Sequence, residues 1–233
     1  MRGAFLGPCF DREEVHSWLE REAIRHEVIG DDEARCARVA ERLAEGAVVG
    51  WFVGRLEFGP RALGHRSILA DPRSPEVQAR INGLVKERAA FRPFAPAVLV
   101  DRAGDWFTDT GTAPYMNLVT RLRSDRLLDA DPLPSGAGQT IEDMVAVVRS
   151  SIPAVTHVDG SARVQTVDEE RNPAFARLLR SFEARTGCPV LLNTSFNTRD
   201  EPIVCTPDDA YATHRRAGLD LLVIEDCLIE AGA

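Results

Sequence analysis

No apolar run in this 233-residue chain approaches the ~20 residues that a bilayer-crossing helix needs, and no secretory leader stands at its head. The sequence therefore reads as cytoplasmic. Cysteine is sparse and unpatterned: Cys9, Cys36, Cys188, Cys205 and Cys227 are odd in number and never in C-x-x-C spacing. That argues against a zinc site and against a disulfide framework, and leaves them as small core residues or bystanders in a reducing compartment. Aromatic residues make up only 6% of the chain and the formal net charge is -8. A general nucleic-acid binder needs a basic face and stacking side chains, so the composition argues against that class, and the net acidity argues against RNA binding as well. No Walker A sequence, no G-x-G-x-x-G and no internal repeat is present. Lysine is almost missing: of 28 basic residues only Lys86 is not arginine. A chain so biased to arginine would use it wherever either residue served, so position 86 is read as needing a compact ammonium for a phosphate or a developing negative charge. The alternative is chance survival of one lysine.

What is present concentrates between Gly54 and Pro96, where eight Lys or Arg stand against four Asp or Glu in an otherwise acidic protein. Its centre is Gly54-Arg55-Leu56-Glu57-Phe58-Gly59-Pro60-Arg61-Ala62-Leu63-Gly64-His65-Arg66, continuing to Arg73. Glycine permits tight turns and close approach of a ligand, and Arg61, Arg66 and Arg73 offer planar donor forks suited to phosphate or carboxylate. The competing reading is a surface loop whose arginines pair with Glu57, Asp71 and Glu76.

Around this run the pattern alternates strands and helices. Helices are expected over 11–23 (Asp11 cap; Val15, Trp18, Leu19 and Ala23 inward) and 32–45 (Ala37, Val39, Ala40, Leu43 and Ala44 inward, stopped by Gly46). Ser74-Pro75 starts a helix to about Ala90, with Ile81, Leu84 and Val85 inward; Asn172-Pro173 starts one ending at Gly187, and Thr206-Pro207 one ending near Ala217. Strands are expected at 47–53, 97–100, 115–122, 190–192 and 219–225, and a hairpin of 152–158 and 162–167 turning at Asp159-Gly160. Residues 124–138 read as an internal surface loop or lid within a single domain of 1–233. The alternation gives an open mixed α/β sheet with ligands beyond the strand ends.

Two further stretches carry chemistry. In His157-Val158-Asp159-Gly160-Ser161-Ala162-Arg163-Val164-Gln165, strand alternation puts Arg163 and Gln165 on one face, and His157 is a candidate proton donor or phosphate ligand, or a hydrogen-bonded structural residue. In Asn193-Thr194-Ser195-Phe196-Asn197, short polar side chains follow a buried strand and can hold phosphate through hydroxyl and backbone N–H groups, or form a polar turn. No Ser-His-Asp arrangement surrounds Ser195.

Taken together, these stretches, with Phe91-Arg92-Pro93-Phe94-Ala95-Pro96, Pro153 to Gly160, Pro189 to Asn197 and Glu201-Pro202-Ile203-Val204, resemble the C-terminal domain of the nodulation-type and antibiotic-pathway O-carbamoyltransferases. The resemblance implies a YrdC-like twisted open mixed sheet flanked by helices, and a domain that handles carbamoyl phosphate and ATP with Mg²⁺ to give carbamoyl-adenylate and pyrophosphate. On that analogy Lys86 and Arg61 are the catalytic candidates. Arg55, Arg66, Arg92, His157, Arg163, Asn193, Ser195 and Asn197 are the substrate- or nucleotide-binding candidates, and no protein metal ligand is expected. This chain carries His65, Ala89, Ser161 and Asp200 where the family often has Asn, an acidic residue, Thr and Gly. Full-length members add an actin-like domain that binds iron and the acceptor alcohol through closely spaced histidines; here His16, His26, His65, His157 and His214 are dispersed. The chain is thus expected to be an activating module working with a separate actin-like acceptor-binding subunit, or an excised or free-standing half. The alternative is a non-catalytic nucleotide or carbamoyl-phosphate binding subunit.

Overall fold

The elements that deliver the chain to the basic run follow largely from its caps and apolar spacing. A computed structural model describes residues 3–85, 92–129 and 140–232. Helix α1 (Arg12–Arg21) opens on a capping box between Asp11 and Glu14 and buries Val15, Trp18 and Leu19. The chain leaves the helix at Glu22, so Ala23, at φ +52°, is exposed rather than part of the inner face. After a two-residue strand, β1 (Glu27–Val28), helix α2 (Asp32–Ala44) is capped by Asp31 and turns Cys36, Val39, Ala40 and Leu43 inward, with Ala37 outside. Strand β2 (Val49–Phe52) is buried throughout.

The basic run also holds a strand that the sequence pattern does not announce, β3 (Arg66–Ala70). The helix expected from Ser74 is cut short: α3 (Glu76–Arg80) passes into a wide π-turn over Ile81–Val85. Asn82 and Gly83 are weak helix formers at that point, and the Asn82 side chain donates to the Arg92 carbonyl at 3.1 Å. Pro75 occupies the cap position without a side-chain bond, while the Ser74 hydroxyl donates to Glu76 at 2.7 Å. Ile81 and Val85 are buried; the side chain of Leu84 and residues 86–91, with Lys86 among them, lie outside the described residues.

Strands β4 (Ala95–Leu99) and β5 (Leu118–Arg121) follow, then a 3₁₀ turn at Ser124–Arg126 and a short helix, α4 (Ile141–Ala146). Most of the expected 124–138 loop falls in 130–139, outside the described residues. The second half contains β6 (Ser161–Val167), α5 (Pro173–Thr186), β7 (Val190–Ser195), α6 (Pro207–Ala217), β8 (Leu221–Ile224) and β9 (Cys227–Glu230). The expected 152–167 hairpin does not form. Pro153–Val155 is a 3₁₀ turn, and Ser150 and Thr156 hydroxyls take the amide and carbonyl of Ile152 that a ladder would need. The antiparallel partner of β6 is β5 instead.

Among the described residues the sheet runs β1-β9-β8-β2-β3-β7-β4-β6-β5, with β2–β8 and β4–β6 parallel and the other pairs antiparallel. The expected α/β fold, a mixed sheet flanked by helices, is the one observed. Every residue of β2, β3, β4 and β8 is buried, so both faces of the sheet's middle are covered. Helices α2 and α5 pack on each other, α5 also on β4 and β7, and α6 on β2 and β8. On α5, Phe175, Leu178, Leu179 and Phe182 form the inner face read from the sequence. No helix among the described residues is long and apolar enough to cross a membrane.

A buried histidine makes this core acid-sensitive. His214 on α6 is 2% exposed, its Nδ1 has no partner among the described residues, and burial pushes its pKa from 6.5 down to about 4. A native-state pKa below the unfolded one means that, as pH falls through 6.5, the unfolded chain takes up a proton the native chain refuses. That gap is worth about 3 kcal/mol, fully lost once the pH reaches about 4. Chemical denaturation at pH 7 and pH 4 should show the wild type losing about 3 kcal/mol more than His214→Gln, and equal losses would contradict the assignment.

Candidate anion-binding cleft

The loop between β2 and β3 is held from inside by one carboxylate. Glu57 is 4% exposed, and its Oε1 accepts the backbone N–H of Leu63 at 2.7 Å, of His65 at 2.9 Å and of Arg66 at 3.2 Å. Gly64 stands at φ +100°, where an added Cβ would lie 2.2 Å from the Phe175 ring, so only glycine closes this turn against α5. The Gly64 carbonyl accepts from Trp51 Nε1 at 3.0 Å. Three buried amides clamp the residues just before it. Gln165 and Asn172 donate to the Leu63 carbonyl at 2.7 and 3.1 Å, and Asn193 donates to the Ala62 carbonyl at 3.2 Å and to Gln165 Oε1 at 2.7 Å.

This scaffold projects Arg61 over the end of the sheet where β4 and β6 begin and β7 finishes. There a cleft of about 110 Å³ is lined by Pro60, Arg61 and Ala62 of the loop, Pro93 to Ala95, Met116, Arg163 of β6, and Asn193 to Ser195 of β7. Among the described residues its lining contains two guanidinium groups and no carboxylate. Burial and then the nearby Arg61 charge hold Arg163 below its ordinary pKa, and no acidic group offsets them. Two cations close enough to disfavour one another, without a counter-charge among the described residues, make a site that an anion would relieve. The volume suits a small anionic group rather than a whole drug-sized ligand, whose sites begin near 300 Å³. Ser195 Oγ donates to Asn197 Oδ1 at 2.6 Å, and Asn197 donates to the Glu201 carbonyl at 2.7 Å, so Asn197 orients Ser195 from behind.

The structure brings together Arg61, Arg163, Asn193 and Ser195 and sets others apart. Arg66 has no exposed surface; its guanidinium lies 3.5 Å from the Phe52 ring centroid and donates to the carbonyls of Gly54, His65 and Pro8. Burial lowers its pKa to about 10 despite Glu57 and Glu225 nearby, which marks it as a structural cation of the loop base. Arg55 turns toward the N-terminal segment, reaching Cys9 Sγ at 3.6 Å and the Leu6 carbonyl at 3.3 Å. Arg73 pairs with Asp71 in a two-pronged bridge, as the alternative reading of the basic run had it. The exposed Arg92 immediately precedes the lining residue Pro93. His157 stands in the turn before β6, bonded to Ser161 at 2.9 Å and within electrostatic reach of Arg163.

Glu57, Gln165 and Asn172 support the Arg61 loop in roles beyond those read from the sequence: a backbone acceptor and two carbonyl clamps. A buried acid inside a basic run reads on paper as an ion-pair partner; here it serves the backbone instead. A glutamine at an inward-facing strand position was the available signal, since buried amides are placed to be bonded. Cys36, Cys188 and Cys227 are buried, with burial pushing their thiols up to about 11, 12 and 12. One trio of metal-ligand types, His16, Asp226 and Cys227, has donor atoms within 4.8 Å of one another among the described residues. Arg12 already stands 3.6 Å from Asp226 Oδ2 and the Cys227 thiol is protonated, so the trio is a hydrogen-bonded hub on the β8–β9 turn.

Residues 40–231 match the family described as Carbamoyltransferase C-terminus. The chain belongs to that family. The uncharacterised protein sll1178 of Synechocystis sp. is 48% identical to it over 98% of this chain and 37% of its own length. Nodulation protein NolO of Bradyrhizobium diazoefficiens is 42% identical over 93% of this chain and 35% of its own length. The 3'-hydroxymethylcephem-O-carbamoyltransferase of Amycolatopsis lactamdurans is 38% identical over 79% and 31%. The chain thus spans about a third of the length of these curated relatives, and the cleft of this carbamoyltransferase C-terminal domain lies wholly inside the matched span.

Proposed function

We propose that this domain binds carbamoyl phosphate in the Arg61–Arg163 cleft, where water releases orthophosphate from it and leaves carbamate, and that the carbamate oxygen then attacks the α-phosphate of ATP, giving carbamoyl-adenylate and pyrophosphate for transfer to an acceptor bound elsewhere. The observation that carries the reading is the convergence of three separated motifs on a cleft that, among the described residues, has two arginines and no acid. In this reading Arg61 and Arg163 hold the phosphate and stabilise the charge that moves to the leaving group. Ser195 and the exposed Arg92 assist. Lys86, the single lysine, supplies the point charge that arginine cannot. ATP extends beyond the small cleft. Mg²⁺ is carried on ligand phosphates, since this hard cation is often bound largely through phosphate oxygens and water and no carboxylate lines the cleft among the described residues. The acceptor site belongs to an actin-like carbamoyltransferase part outside this sequence.

The test is pyrophosphate release from ATP with carbamoyl phosphate and Mg²⁺, with mass-spectrometric detection of carbamoyl-AMP. The expected result is product that falls at least about 100-fold in Lys86→Ala, the scale on which loss of one electrostatic group lowers turnover. ATP and carbamoyl phosphate binding without product, even beside a candidate acceptor-binding subunit, would replace this reading with that of a non-catalytic binding module.

A further inference from the structure

A phosphate cleft alone does not distinguish carbamoyl phosphate from other acyl phosphates. The distinguishing group is the carbamoyl –NH₂, a pure hydrogen-bond donor where acetyl phosphate has a methyl, and it calls for an acceptor beside the cationic cleft. The cleft lining is rich in donors. The turn that leads into β6, beyond the residues that line the cleft, carries an acceptor whose hydrogen-bonding role is fixed by its neighbours.

Ser161, Arg163 and Gln165 alternate along β6 and so share one face, the face on which Arg163 lines the cleft and Gln165 clamps the Arg61 loop. His157 is bonded to the first of these: its Nδ1 lies 2.9 Å from Ser161 Oγ. Ser161 Oγ in turn donates to Asp159 Oδ1 at 2.6 Å, and the Ser161 amide donates to the same oxygen at 3.0 Å. The Ser161 hydroxyl holds Asp159 below its ordinary pKa, so this carboxylate is ionised and only accepts. The single hydroxyl proton of Ser161 is thereby committed, and only lone pairs face His157. Nδ1 must carry the ring proton, and Nε2 is left bare. Burial lowers the His157 pKa, with Arg163 adding to the effect against Asp159, so the ring stays neutral at pH 7. A neutral ring with a bare Nε2 neither donates a proton nor ligates phosphate, the roles considered for it from the sequence; it accepts a hydrogen bond. Asn193, at 1% exposure in the cleft wall, adds a second acceptor, Oδ1, that has no partner among the described residues.

We infer that the Asp159–Ser161–His157 chain is a specificity device in which His157 Nε2 accepts a hydrogen bond from the –NH₂ of a carbamoyl group whose phosphate lies between Arg61 and Arg163. The inference rests on the carbamoyl-phosphate reading of the cleft. A site built to bond a substrate N–H rejects the analogue without it more strongly than shape alone allows.

Two measurements test it. Long-range ¹H–¹⁵N spectra of ¹⁵N-histidine-labelled protein, with His157 assigned from its loss in His157→Gln, should show a protonated Nδ1 and a pyridine-like Nε2. Carbamoyl phosphate should shift the Nε2 resonance, acetyl phosphate should not, and Ser161→Ala should mix the tautomers. Calorimetric titration should give carbamoyl phosphate an affinity at least about tenfold above acetyl phosphate in the wild type, falling to near parity in His157→Phe. A proton on Nε2, or equal wild-type affinities with inorganic phosphate still bound, overturns the role of His157 alone. Failure of the wild type to bind any of the three anions overturns the cleft reading and this inference together.

Discussion

Arg163→Ala should weaken carbamoyl phosphate binding by about 100-fold while leaving the thermal midpoint unchanged or slightly raised. A charge-assisted hydrogen bond to phosphate is worth about 1.5–3 kcal/mol, which spans roughly 10- to 150-fold in affinity. Arg163 sits at the upper end because it is half-buried and a lost partner there is not replaced by water. The stability side follows from the same geometry. In the empty protein Arg163 is held below its ordinary pKa by burial and by Arg61, with no acid compensating, so removing it relieves strain. A residue kept for the fold would show the opposite sign. Arg61→Ala should behave alike with a smaller loss, since Arg61 is exposed, and Arg163→Lys should recover only part because an ammonium lacks the planar fork. Titration calorimetry with scanning calorimetry on the same samples checks both halves. An affinity within threefold of wild type, or a midpoint drop of several degrees, would contradict the assignment.

Glu57→Ala should cost about 3–5 kcal/mol of stability and abolish binding in the cleft with it. Three backbone N–H groups lose their shared acceptor, and the guanidinium of Arg66, fully buried and stacked on Phe52, loses a compensating charge. Removing one side of a buried charged arrangement is destabilising on this scale because the other charge remains desolvated. Glu57→Gln keeps an amide oxygen for the N–H groups but not the charge, and about 1–2 kcal/mol is expected. Urea denaturation of the two variants separates the contributions. An alanine variant within 1 kcal/mol of wild type would show that the loop is held by the amide clamps alone.

The helices with strong caps were legible in the sequence. Asp11, Asn172 and Thr206 each start the helix expected of them, and Gly187 and Gly218 end theirs in the left-handed conformation. The errors occur where side chains outcompete a ladder or a turn outcompetes a helix. Ser150 and Thr156 fold the stretch before Asp159 into a turn, and Asn82 with Gly83 opens α3. Strand β3 was masked by the arginines around it, although Ser67 to Ala70 is the buried center of the sheet's pairing to β2 and β7. Strand β9 needed only the apolar Cys227-Leu228-Ile229 run after the tight Glu225-Asp226 turn to be read. For the cleft, Arg61, Arg163 and Ser195 were readable as chemistry-bearing types. Which arginines were structural was not, because Arg66 and Arg61 differ only in the carbonyls and the ring that the fold places around one of them.

The most direct test of the account is a crystal structure of the protein grown with saturating carbamoyl phosphate. The account predicts the phosphoryl group between Arg61 and Arg163, within hydrogen-bonding distance of both guanidinium groups. Ligand seated elsewhere, for instance in the open groove beside Arg25, His26 and Glu230, with the Arg61–Arg163 cleft empty, would contradict it.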